Sequence, residues 1–233
     1  MKHTIIILLF LLSGLITSLL LLTYLGSQQD PFLGMTAEQK ASKTKLIYQN
    51  DFSNPQSLQD FKIAKPDLGY ENKEDRGKWE IKDGQLWGEK IYNAALWLSQ
   101  AKLPKNQNIR IEFSSTAHSK EGDSKCEIFG DGLNHQSGYI VIAGGWNNRV
   151  MAIARQDEHG EDRKDDKRCP KGCLEANRTY QWVVERREGV IYWYLDGALK
   201  LKYIDHFPIQ GQHFAFNNWS AKVSFDNLKI FEL

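Results

Sequence analysis

The chain has 233 residues and a formal net charge of +1. A balance that close to zero gives no global field, so capture of nucleic acid or acidic lipid by charge alone is excluded. Seven tryptophans and nine tyrosines are many for the length, and such rings either fill β-sandwich cores or stack on sugars.

The first element is apolar. From Thr4 to Leu25 there is no charged residue. At about 1.5 Å per residue, a helix over this run crosses the roughly 30 Å hydrocarbon core. The run is longer than the ~7–15-residue apolar region of a cleavable signal peptide. Its exit, Thr23-Tyr24-Leu25-Gly26-Ser27, is a poor cleavage site. Residues 1–25 therefore read as an N-terminal membrane anchor, a single-pass transmembrane helix through residues 4–25. Lysines stand on both sides of it, Lys2 before and Lys40, Lys43 and Lys45 after, so charge does not set the orientation. A folded domain on the extracytoplasmic side is the commoner arrangement. Residues 26–45 read as a polar linker and residues 46–233 as the folded domain.

Within the domain, no segment sustains helical periodicity. Short runs rich in Val, Ile, Phe, Tyr and Trp alternate with turn residues, the pattern of strands. Leu46 to Phe52 begins the series, and Pro55 to Tyr70 reads as a loop with a helical turn. Trp79-Glu80-Ile81 and Gln85-Leu86-Trp87 flank Asp83-Gly84, a hairpin signal because the tight turn needs positive φ. Strands are expected at Ala94–Leu98 and Asn108–Thr116. Lys125–Phe129, Gly138–Ala143 and Arg149–Gln156 follow, then a charged excursion from Gln156 to Lys171. Thr179–Arg187, Val190–Leu195, Leu199–Tyr203, His213–Phe216 and Lys222–Phe231 complete the chain. Strands at this spacing, with no amphipathic helix between them, predict an all-β sandwich or barrel.

Of three cysteines, Cys169 and Cys173 form C-P-K-G-C. A disulfide across that small loop is open in an oxidising compartment. Cys126 lies in a strand-like run, where a buried thiol is usual.

Several motifs recur in a fixed order. They are Asn50-Asp51-Phe52, the W-x-I-x-D-G-x-L of Trp79, Ile81, Asp83, Gly84 and Leu86, the central Gly138-Tyr139, and the hairpin with Tyr180, Trp182, Trp193, Asp196 and Gly197. The last is Phe225-Asp226-Asn227-Leu228-Lys229-Ile230. This order resembles the concanavalin A-like lectin/glucanase superfamily, including laminin-G-like and keto-disaccharide-hydrolase-like domains, over nearly all of residues 46–233. The resemblance implies a two-sheet antiparallel jelly roll whose concave face often binds glycans, although fold alone does not fix function.

The candidate residues fall into four groups. In the superfamily's retaining glucanases, a strand resembling E-x-D-x-E sets its two key carboxyls about 5–5.5 Å apart. Here Glu127 and Asp131 match the outer positions, but Phe129 takes the middle one. Gly130, Asp131 and Gly132 also read as a turn that ends the strand. The second group, Gly144 to Arg149, offers an aromatic plate in Trp146 and an amide in Asn148, set against the plain reading of a turn with left-handed asparagines. The third is the charged run with Arg155, Asp157, Glu158 and His159. It could bind a ligand, move a proton or ligate calcium, but no D-x-D-x-D-G loop is present, and mixed charge runs are usually solvated. The fourth is Asn218 and Trp219, again an amide beside an aromatic at a turn.

These residues give a leading expectation and two alternatives. The leading one is a membrane-anchored domain that binds carbohydrate or cell-wall glycan without catalysis, using Trp146, Asn148, Arg155, Asp157, Asn218 and Trp219. One alternative is a glycoside-processing hydrolase with Glu127, Asp131, Asp157, Glu158 or His159 as its acid/base set. The other is a structural or partner-binding ectodomain. No zinc signature, phosphate loop or dinucleotide fingerprint is present, and no cofactor is expected, calcium being the single candidate.

Overall fold

The computed structural model describes residues 44–105, 108–161 and 163–233, the side chains of 164–167 excepted. The expected membrane anchor and nearly all of the linker lie outside the described residues. Among the described residues, no helix is long and apolar enough to cross a membrane.

Fifteen strands are found among the described residues. The first five are β1 (Lys45–Asn50), β2 (Phe61–Ile63), β3 (Glu80–Lys82), β4 (Gln85–Gly88) and β5 (Leu96–Leu98). Next come β6 (Ile109–Ala117), β7 (Ser124–Gly130), β8 (Tyr139–Gly144), β9 (Val150–Arg155) and β10 (Arg163–Arg168). The last are β11 (Thr179–Arg187), β12 (Val190–Leu195), β13 (Ala198–Ile204), β14 (His213–Asn217) and β15 (Val223–Glu232). They form two antiparallel sheets. The first runs β13-β12-β11-β6-β15-β4-β3, with β1 also paired to β15; the second runs β10-β9-β8-β7-β14-β5-β2.

The two inner faces meet in one apolar core. Alternation puts Phe113, Trp182, Trp193 and Phe225 of the first sheet against Cys126, Ile128, Phe214 and Phe216 of the second. Trp182 stacks on Phe113 at 5.0 Å and on Trp193 at 4.9 Å. Its indole N–H donates to Ser115 Oγ at 2.8 Å, so the ring is buried with its polar atom satisfied. The hairpin at Asp83-Gly84 has φ of 52° and 69°, the positive values that a two-residue turn of this hand demands.

Two strands lie where loops were expected. β2 is three residues long and pairs with β5 at the sheet edge, too short to show alternation. β10 has the sequence Arg-Lys-Asp-Asp-Lys-Arg and pairs with β9 through the backbone. No apolar pattern marks such a strand. Its charge suits an edge, where it discourages pairing with a further chain.

One departure from regular pairing positions the site. Phe129 has φ 57°, and the β14 register jumps there, from His213↔Gly130 to Phe214↔Ile128. This bulge lets Phe129 join Ile128 in the core. Lys125 and Glu127 remain on the opposite, outer face of the second sheet. Beyond the bulge, Gly130 must lack a side chain, because a Cβ there would stand 2.1 Å from the Trp97 ring.

Trp182→Ala should cost about 3–5 kcal/mol, read as a lower urea midpoint. A loss under about 1 kcal/mol would contradict the two-sheet core described here.

Candidate functional site

The outer face of the second sheet carries a buried polar network where solvent would be expected. Glu127, Lys125 and Asn217 project from β7 and β14, all of them buried. Three loops fold back to meet them: the segment around Asn93, the turn at His135-Gln136, and the loop after β9 that carries Glu158. Lys125 Nζ donates to Glu158 Oε2 at 2.9 Å and to Asn93 Oδ1 at 3.1 Å, and lies 3.5 Å from Asp123 Oδ1. Glu127 accepts from His135 Nδ1 at 2.6 Å, from Asn217 Nδ2 at 2.8 Å and from the Gln136 backbone N–H at 3.1 Å. His135 stands between the two halves. Its Nε2 lies 3.9 Å from Glu158 Oε1, too long for a hydrogen bond.

Burial and charge compete at each group. Burial alone would discharge Lys125, but Asp123 and Glu158 outweigh it and hold its pKa above the usual lysine value. Burial would raise Glu158; Lys125 and His135 overcome this and keep it well below the carboxylate range. Burial likewise opposes the charged form of His135, yet the Glu127 carboxylate raises its pKa to about 9. For Asp123, burial is the larger effect and its pKa rises despite Lys125.

Above this network lies a cavity of about 330 Å³. Its floor includes Lys125, Asp123 and Glu158, and its walls include Trp146, Trp219 and His159. Trp146 is set by a left-handed turn, with φ of 51°, 57° and 61° at Trp146, Asn147 and Asn148 after Gly144 at 71°. Such values are rare for a bulky side chain, so other contacts must hold the turn. Asn148 supplies them: its Nδ2 donates to the Leu174 carbonyl at 2.7 Å, and its Oδ1 accepts from the Cys173 and Leu174 backbone N–H groups at 3.0 and 2.9 Å. Cys173 is bonded to Cys169 in a disulfide, so a cross-linked loop braces the turn from behind. Trp219 is fixed differently. Its neighbours Tyr70 and Tyr92 pack edge-on at 4.7 and 5.3 Å, and its carbonyl accepts from the Tyr92 backbone N–H at 2.7 Å.

The structure brings together part of the residue set read from the sequence. Trp146, Glu158, His159 and Trp219 line one cavity, with His159 edge-on to Trp146 at 5.5 Å. Glu127 is fully buried beneath the sheet-face loops. Asp131 sits in the turn after β7 and accepts from the Leu133 and Asn134 backbone N–H groups, both at 2.8 Å. Asp157 is exposed and accepts from the His159 backbone N–H. Four residues assigned to the ligand stand outside the cavity lining, Asp157 and three others. Arg155 shares its face with Met151 and Ile153, which is the core face, and pairs with Asp205 at 2.9 Å. Asn148 braces the turn as described. Asn218 is buried beside Gly88 and Trp79. Sequence reasoning missed Asp67, Asn93, Asp123, Lys125 and His135. A signal existed for Lys125 alone: in Ser-Lys-Cys-Glu-Ile it alternates with the core residues, sharing a face with Glu127. Among the described residues, no cluster of His, Cys, Asp and Glu is arranged to hold a metal ion.

No protein-family model matches the chain, and no curated protein matches it. Solved structures do match in shape. The laminarinase catalytic domain from Thermotoga maritima is 10% identical with a TM-score of 0.57, covering 82% of this chain and 99% of that one. The endo-β-1,3-glucanase from Pyrococcus furiosus is 11% identical with a TM-score of 0.57, covering 81% and 94%. The fold is the concanavalin A-like jelly roll. A carbohydrate-binding module, CBM66 from Bacillus subtilis, has a similar shape at 19% identity and a TM-score of 0.51, covering 66% of this chain and 90% of that one. At these identities the likeness concerns the fold of the jelly roll alone.

Lys125→Met would leave Asp123 and Glu158 buried without their cation and should cost about 3–5 kcal/mol in chemical denaturation; a change under about 1 kcal/mol would contradict the network. His135 gives a pH signature. Its pKa is raised to about 9, so its contribution to stability is full below the ordinary value of about 6.5 and is lost as pH rises through about 9. The melting temperature should fall across that window, and His135→Gln should remove the fall. A wild-type profile flat over the same range would contradict the charged pair with Glu127.

Proposed function

We propose that this domain binds a carbohydrate chain in the cavity between Trp146 and Trp219 and does not turn it over. One observation carries the reading: two indoles from turns distant in the sequence line the same cavity. Indole faces suit the apolar faces of sugar rings, and polar groups on the floor and rim suit hydroxyls. The acids argue against turnover. Glu127 has no exposed surface and is committed to His135, Asn217 and a backbone N–H. Glu158 is committed to Lys125 and Asn93. Shape likeness to both carbohydrate-binding modules and glucanases is consistent with a glycan ligand.

The same reading places the domain outside the cytoplasm, anchored through residues 4–25. The Cys169–Cys173 disulfide supports an oxidising compartment.

A second reading has one observation in its favour. Asp123 and Glu158 both face the cavity, and their environments push their pKa values in opposite directions, as an acid/base pair requires. Lys125 bridges them in this structure, which ties up the carboxylate that would act on a bound sugar.

Pull-down on insoluble cell-wall polysaccharides and a glycan array tests the proposal. Trp146→Ala and Trp219→Ala should each weaken binding roughly tenfold while leaving the melting temperature within a few degrees. Wild-type affinity in both variants would contradict the site, and product release from the same panel would favour the second reading.

A further inference from the structure

The charges around the cavity narrow the class of glycan it would hold, an inference that rests on the carbohydrate reading above. Four carboxylates line the cavity, from Asp67, Glu121, Asp123 and Glu158, against the single ammonium of Lys125. That ammonium is already engaged with Glu158, Asn93 and Asp123 and is buried. Asp67 and Glu121 differ. Asp67 Oδ2 accepts from the Asn93 amide at 3.0 Å, and Glu121 is exposed. Among the described residues, neither carboxylate is in an ion pair, and both line the cavity. Lys120, near Glu121, lines a separate groove behind the Trp146 turn with Arg149 and Lys171.

The walls supply an independent observation. Indole faces attract cations as well as sugar rings, and Trp146 already holds one: the Arg163 guanidinium lies 4.6 Å from its ring centroid. A ligand entering between Trp146 and Trp219 therefore meets indoles on its sides and the Asp67 and Glu121 carboxylates beside them. An anionic sugar would be repelled by both. A neutral sugar would stack without using the rim charge.

We infer that the cavity takes a glycan bearing protonated primary amines, a de-N-acetylated hexosamine chain, in preference to its N-acetylated or uronic acid counterparts. Each amine would sit against Glu121 or Asp67 while its ring stacks on Trp146 or Trp219.

Isothermal titration of the full-length chain at about pH 6, with three hexamers of glucosamine, N-acetylglucosamine and a hexuronic acid, tests this. The glucosamine hexamer should bind roughly twofold to fivefold tighter than the N-acetylated one, and the uronic acid hexamer weakest. The preference should shrink at about 0.5 M salt, where exposed charges are screened. Glu121→Gln should reduce the preference. Equal affinity for the amine and N-acetylated hexamers, or tightest binding of the uronic acid, would overturn the inference while leaving the carbohydrate reading intact. Absence of binding by all three would overturn the inference, while the polysaccharide panel above decides the carbohydrate reading by itself.

Discussion

The site depends on one buried ammonium. Lys125 stands on a sheet face with almost no solvent, and a charge so placed is tolerated only with partners at hydrogen-bond distance. Two of those partners come from distant segments, Glu158 from the loop after β9 and Asn93 from the segment before β5, and the third, Asp123, stands two residues before Lys125 itself. Satisfying Lys125 therefore draws all three together. The Asn93 segment also pairs with the chain at Asn218 and Trp219 through backbone hydrogen bonds. Asp123 accepts from the Trp219 backbone N–H. One charge on the sheet thus fixes the position of a tryptophan on the cavity wall.

The Glu127 half shows what holds a candidate acid in this fold. The bulge at Phe129 sends that ring to the core and leaves Glu127 facing loops. There the carboxylate finds a protonated histidine, an amide and a backbone N–H, which use its acceptor sites. A carboxylate so engaged orders the His135-Gln136 turn, and Gln136 in turn accepts from the Glu158 backbone N–H at 2.7 Å. The two halves of the network are coupled through that side chain.

The sheets were legible in the sequence because one face of most strands packs on the core, so period-two alternation and positive-φ turns such as Asp83-Gly84 mark them. β2 and β10 were not, being a three-residue edge and a charged edge. At the site, Trp146 and Trp219 were legible as aromatics at turns. The amides beside them misled, because Asn148 and Asn218 are turned inward. Arg155 carried its own warning: a position in phase with Met151 and Ile153 belongs to the core side, and the cavity is on the other. Lys125, Asp123 and His135 were hidden because their roles depend on contacts between distant segments, which no local pattern encodes.

In the proposed complex a sugar lies between two particular indoles. The most direct measurement is a nuclear magnetic resonance titration that follows the indole N–H resonances of all seven tryptophans as glycan is added. The Trp146 and Trp219 signals should move together, saturably and with one dissociation constant, while those of the buried Trp97, Trp182 and Trp193 stay in place. Movement of one of the two without the other, or of neither while another region of the domain responds, would contradict it.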